Sequence, residues 1–230
     1  MSPIQGRYLL AFFALTILCG TSHEFIHHFV GAAICGCFGY KTFNSFELCS
    51  GCVESNPYWT IATFAGPVFT FALVWSGLFL LQQSNPIKKQ LGFALIFANF
   101  PINRLVFAFM GFNDEQYAVS VIFGEDNLTA FWLTNLVVSA LTLPPLIYGY
   151  KAIGGKHRLL SFIGYLILPF VFVIVFAGLF LEEWLLLEKQ WLAETVIGIP
   201  YLILLVEILS MVIYFLYKKH LYESPLIQLK

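Results

Sequence analysis

Residues 8–37 read YLLAFFALTILCGTSHEFIHHFVGAAICGC, with one carboxylate, Glu24, and three histidines in an otherwise uncharged run. A membrane-crossing helix needs about 20 mostly apolar residues, and this stretch exceeds that. Arg7 ahead of an apolar segment also resembles a signal peptide, with a cleavage site near Cys19–Ser22. The apolar pattern continues past that site to about Phe38, so the segment reads as a retained membrane helix.

Five more stretches pass the same test, at roughly 58–82, 91–111, 128–150, 159–181 and 196–217. The breaks between them carry turn chemistry. Ser84-Asn85-Pro86 precedes Lys88 and Lys89, Gly154-Gly155 precedes Lys156, and Asn56-Pro57 closes the longest early interruption, residues 38–57. Pro200 is expected in the first turn of the sixth helix, where proline is tolerated. Composition agrees: of 230 residues, 59% are hydrophobic and 11% charged, against about 45–50% and about 25% in soluble domains. A soluble fold of this length cannot hide that much apolar surface, whereas a lipid bilayer can. The net charge of −1 offers no basic face for nucleic acid. The 25 phenylalanines suit a lipid-facing surface or an apolar substrate groove equally. The expectation is an all-α, polytopic transmembrane helix bundle of about six membrane helices, a single membrane domain over residues 1–230.

Loop charges alternate in sign. Arg7, Lys88, Lys89, Lys151, Lys156, Arg158, Lys218 and Lys219 fall on one side of the membrane. Asp114, Glu115, Glu125, Asp126, Glu182, Glu183, Glu188 and Glu194 fall on the other, opposed only by Lys41 and Lys189. Lysine and arginine in short loops stay inside, which puts both termini in the cytoplasm.

His23-Glu24-Phe25-Ile26-His27 is an H-E-x-x-H motif. Residues four apart share a helix face, so His23 and His27 can offer two imidazole nitrogens to one ion, with Glu24 beside a metal-bound water as general base. In a soluble helix the motif is often accidental. Inside a membrane helix ionisable residues are costly and point to function, which favours a metal site over a structural polar cluster. His23, His27 and His28 also spell H-x-x-x-H-H, a box used by membrane di-iron enzymes. Those need several boxes, and the remaining two of five histidines, His157 and His220, lie far along the chain. His28 is then expected to support the site or line a groove.

With Ala32-Ala33, Gly39-Tyr40-Lys41 and Ala65-Gly66-Pro67 in the next helix, the motif resembles the site-2 protease family of intramembrane zinc metalloproteases. The likeness covers roughly residues 8–115, a metalloprotease-like core to which helices at about 128–217 are accessory. Thr70 stands near the place of a family asparagine. The family's third ligand is an aspartate in N-x-x-P-x-x-x-L-D-G. Here Asn99-Phe100-Pro101 begins that pattern, but Leu-Asp-Gly is missing. The resemblance implies Zn2+ held by His23, His27 and Asp114, with Glu115 as the alternative, Glu24 as catalytic base, and a substrate that is a transmembrane segment of another protein. It also implies that the loop after the first helix is a substrate-holding hairpin, and a sidedness opposite to that of the loop charges. An inactive relative that binds membrane segments is the alternative function. Oligomeric state is left open.

Asn99 and Asn103 are four apart on the expected third helix, with Arg104 beside them. Such asparagines either join helices by hydrogen bonds worth about 1 kcal/mol each, or orient an unwound substrate backbone and its oxyanion. Arg104 is expected to pair with an acid or to snorkel, and Glu207 is an intramembrane carboxylate without an evident partner. Cys35, Cys37, Cys49 and Cys52 bracket the first loop and suit two disulfides, a structural zinc or reduced thiols. A loop outside the cytoplasm favours disulfides. Cys19 reads as packing.

Overall fold

The computed structural model describes residues 6–124 and 127–222. Glu125 and Asp126 of the acidic segment lie outside them, as do residues 1–5 of the signal-like opening. Helix α1, Gly6–Cys35, is unbroken. A small hairpin follows, with β1 at Tyr40–Lys41, β2 at Phe46–Glu47, and then the short α2 at Cys52–Ser55. Helix α3 is Thr60–Leu81. Asn85 then caps α4, Pro86–Ala98, by accepting from the Ile87 and Lys88 amides with Pro86 at the first turn. Next come α5, Pro101–Met110; α6, Asp114–Phe123; α7, Leu128–Ala152; and α8, Arg158–Phe172. The last runs on as a π-helical segment, Val173–Glu188. A second hairpin, β3 at Thr195–Val196 and β4 at Ile199–Pro200, leads into α9, Tyr201–Tyr222.

Among the described residues, six helical passages are long and apolar enough to cross a membrane. The chain is an all-α, multi-pass integral membrane protein. Its surface fits this: Leu136, Phe215, Leu216 and Val68 are among many large apolar side chains left more than 60% exposed. In the fifth passage only 11% of the most apolar window is buried, so that helix gives most of its perimeter to lipid. Inside, Phe12, Phe93, Phe97 and Tyr165 form one core, and Phe43, Leu186, Ile199 and Leu202 form another beneath the hairpins.

Two expectations need correction. The third passage is not one helix over 91–111. Pro101 lacks an amide donor and disfavours helical geometry at the preceding residue, so α4 ends at Ala98 and Phe100 turns left-handed at φ 35°. Gly111, also left-handed, ends α5, and the passage spans 86–123 in three pieces. Irregular backbone at membrane depth is tolerated where it lines a cavity. The sixth helix starts at Tyr201 rather than 196, because residues 195–200 fold back as the β3–β4 hairpin and Pro200 closes its second strand.

The two hairpins meet: the Lys41 amide donates to the Gly198 carbonyl at 3.0 Å. Disulfides Cys35–Cys52 and Cys37–Cys49 tie the first loop to the end of α1, and Cys19 is free and buried. Lys41 is fully buried, its Nζ donating to the Thr42 carbonyl and lying 4.3 Å from the Phe25 ring centre. Burial pushes its ammonium down to about 8, while the carboxylates of Glu24, Glu207 and Glu182 pull it back up.

Candidate metal centre

His23 and His27 project from one face of α1 with their Nε2 atoms 3.0 Å apart. Asp114 Oδ2 lies 3.1 Å from the first and 3.6 Å from the second. Each of the three residues offers a ligand atom within 4.8 Å of the others. The broken third passage makes this convergence. Left-handed Gly111 reverses the chain, Asn113 caps α6 by accepting from the Gln116 amide, and Asp114 enters as the first helical residue. Glu115 turns away to Arg104 at 3.5 Å and stands outside the group.

The imidazoles are held from behind. His27 Nδ1 donates to the Ala62 carbonyl at 2.7 Å, which fixes the tautomer and leaves the Nε2 lone pair facing Asp114. Pro67, inside α3, removes the amide that would bond the Thr63 carbonyl, next to Ala62. His23 Nδ1 meets the Thr70 hydroxyl at 2.9 Å. Thr70 thus steadies a candidate ligand, a role its type and position alone did not disclose. A Cβ at Gly66 would collide with His27 Nε2. Gly66 therefore lets α3 lie against both rings. From the other side Phe46 of β2 stacks flat on His27, ring centres 4.3 Å apart.

Glu24, its side chain 13% exposed, places Oε1 3.9 Å from His23 Nε2. Arg104 pairs with acids, as expected, donating to Asp114 at 3.2 Å and Glu115 at 3.5 Å, and it lies 2.9 Å from His23 Nε2. His28 is not in the group; it meets the Ile197 carbonyl at 2.9 Å and pins the second hairpin to α1. Glu207 has a partner after all, the Thr21 hydroxyl, which joins α9 to α1.

A cavity of about 420 Å³ opens onto His23, Glu24 and Asp114. Asn99 and Asn103 both line it. They do so without sharing a helix face, because the chain breaks between them at Phe100. Asn99 Nδ2 is committed to the Leu95 carbonyl at 2.7 Å, whereas Asn103 Oδ1 is buried without a partner. Asn113, also on the cavity wall, was missed in the sequence. The Asn113-Asp114-Glu115 run, an N-cap ahead of two acids, was the available signal.

Two imidazole nitrogens and a carboxylate oxygen, beside a cavity that leaves room for a further ligand, could hold a divalent metal ion. Arg104 pairs with both Asp114 and Glu115, and Glu24 lies beside His23. Comparison with protein-family models, curated proteins and solved structures finds no match for this chain.

Proposed function

We propose that the chain is an intramembrane metalloprotease of the site-2 type, holding zinc on His23, His27 and Asp114. The observation that carries this reading is the convergence of three ligand atoms within 4.8 Å, beside Glu24, on the wall of a cavity inside a membrane bundle. When bound, the ion supplies a Lewis acid that acidifies water and polarises a carbonyl. Glu24 takes the proton of the attacking water and returns it to the departing amine. The bonds to Ala62 and Thr70 keep both imidazoles aimed through the cycle. Asp114, 33% exposed in its side chain, marks the polar route for water. The substrate is a membrane-spanning segment that unwinds locally to reach the cavity.

Both termini are assigned to the cytoplasm. The loop charges support this, and so do two disulfides in the loop on the opposite face, since such bonds persist in oxidising compartments. Lys41, which opposed the charge pattern, is buried against the protein and is no surface charge.

A matched pair of variants tests the mechanism with purified chain and a labelled transmembrane peptide. Glu24→Gln should retain zinc and lose cleavage by about 100-fold or more, while His23→Ala should lose both. Full activity of Glu24→Gln would end this mechanism. One observation favours a second reading, a non-catalytic membrane protein that binds or regulates others: Arg104 already occupies His23 and Asp114. A purified chain that takes up no zinc would select it.

A further inference from the structure

Cations gather at the end of the bundle opposite the hairpins. Arg7 opens α1, Lys88 lies in the first turn of α4, and Lys151 lies in the last turn of α7. Lys156 and Arg158 stand where α7 passes to α8, and Lys218 lies near the end of α9. These helix ends share one core, since Tyr8, Leu81, Ile153, Tyr165 and Leu221 belong to a single buried cluster. The surrounding segments, residues 6–23, 82–113, 151–181 and 208–222, contain no aspartate or glutamate, so no carboxylate in them opposes the charge.

Lys151 and Lys218 belong to the helices themselves, and each ammonium lies over an exposed aromatic ring. Lys151 Nζ is 5.5 Å from the Tyr148 ring centre, and Lys218 Nζ is 4.6 Å from that of Phe215. Arg158 lies 4.1 Å from the Tyr150 ring centre and donates from Nε to the Tyr150 carbonyl at 2.7 Å, which fixes it at the seam of α7 and α8. Next to these cations in the chain, Ile87, Leu160 and Leu216 are each more than half exposed. Sidedness asks only for basic loops; it does not ask for cations on helix flanks beside bare apolar carbon. We propose that this rim binds the headgroups of anionic phospholipids. The phosphate meets the cations, and the acyl chains lie on the exposed leucines and isoleucine. A free phosphate has no chains for that flank, and an acidic protein would have to cover apolar carbon that lipid already covers. The proposal needs only the multi-pass fold, and neither metal nor proteolysis.

The test reconstitutes the full-length chain in phosphatidylcholine bilayers with a trace of spin-labelled lipid, and reads the fraction of label immobilised at the protein surface. Labelled phosphatidylglycerol should be preferred over labelled phosphatidylcholine of the same chains by about fivefold, the effect of one well-placed cation near the surface. The preference should vanish when Lys151, Lys156 and Lys218 are all changed to glutamine, and survive when all three are changed to arginine. Lys189→Gln, at the opposite end and paired there with Glu188, should leave it unchanged. Soluble glycerophosphate should not displace the labelled lipid. Equal immobilisation of the two lipids, or an undiminished preference in the glutamine variant, would overturn the proposal. Displacement by glycerophosphate would reduce the rim to a phosphate site, and displacement by polyglutamate would assign it to an acidic protein; either result also overturns it.

Discussion

A Cβ added at Gly66 would strike His27 Nε2 and come to 2.7 Å from His23 Cε1. Both rings are fixed by bonds to α3 itself, through Ala62 and Thr70, so neither can retreat without leaving the site. Gly66→Ala is expected to weaken zinc binding about 10–100-fold, the usual cost of disturbing the groups that orient metal ligands. Gly164→Ala, with nothing within 4 Å of the added carbon, is the control and should leave affinity unchanged. Zinc affinity measured by competition with a chelator checks both. At this scale the sequence was most informative where spacing alone does the work: His23 and His27 lie one turn apart on one helix, with Glu24 next to the first. The choice of Asp114 leaned on resemblance, because its approach depends on a reversal at Gly111 far along the chain. The roles of Thr70, Asn113 and Glu207 depend on which helices touch, and residue type does not carry that.

Among the elements, the helices were legible because about 20 apolar residues in a row leave a membrane chain few alternatives. Where they break was not. Asn99-Phe100-Pro101 sits in an unbroken apolar stretch, so hydropathy reads straight through a residue whose backbone is left-handed. The proline was visible, but its consequence depends on whether neighbouring groups satisfy the freed backbone, a tertiary question. The same holds for residues 195–200. Composition alone assigns them to the last helix, yet Gly198 at φ 76° and the contact with Lys41 fold them into a hairpin. These irregular pieces, more than the long helices, bring Asp114 to α1 and tie the second hairpin to it through His28 and Ile197.

For the molecule as a whole, the His23–His27–Asp114 group and both hairpins lie toward the end of the bundle where the disulfide-tied loop closes α1. The basic clusters lie at the other ends of the same helices. Two positions should therefore label oppositely in a chain whose other accessible cysteines are removed. Ser45→Cys, in the first hairpin, should react with a membrane-impermeant thiol reagent only from the non-cytoplasmic side. Ser84→Cys, in the turn before α4, should react only from the cytoplasmic side. The reverse pattern would invert the topology and place the hairpins where the family resemblance implies.

The metal centre is the claim on which the rest depends, and zinc content of the purified full-length chain tests it most directly. Wild-type protein and Glu115→Gln should each carry about one zinc per chain, as a three-ligand site requires, while Asp114→Asn and His27→Ala should carry little or none. A wild-type chain that remains zinc-free with zinc in excess, or an Asp114→Asn variant that binds as well as wild type, would contradict the account.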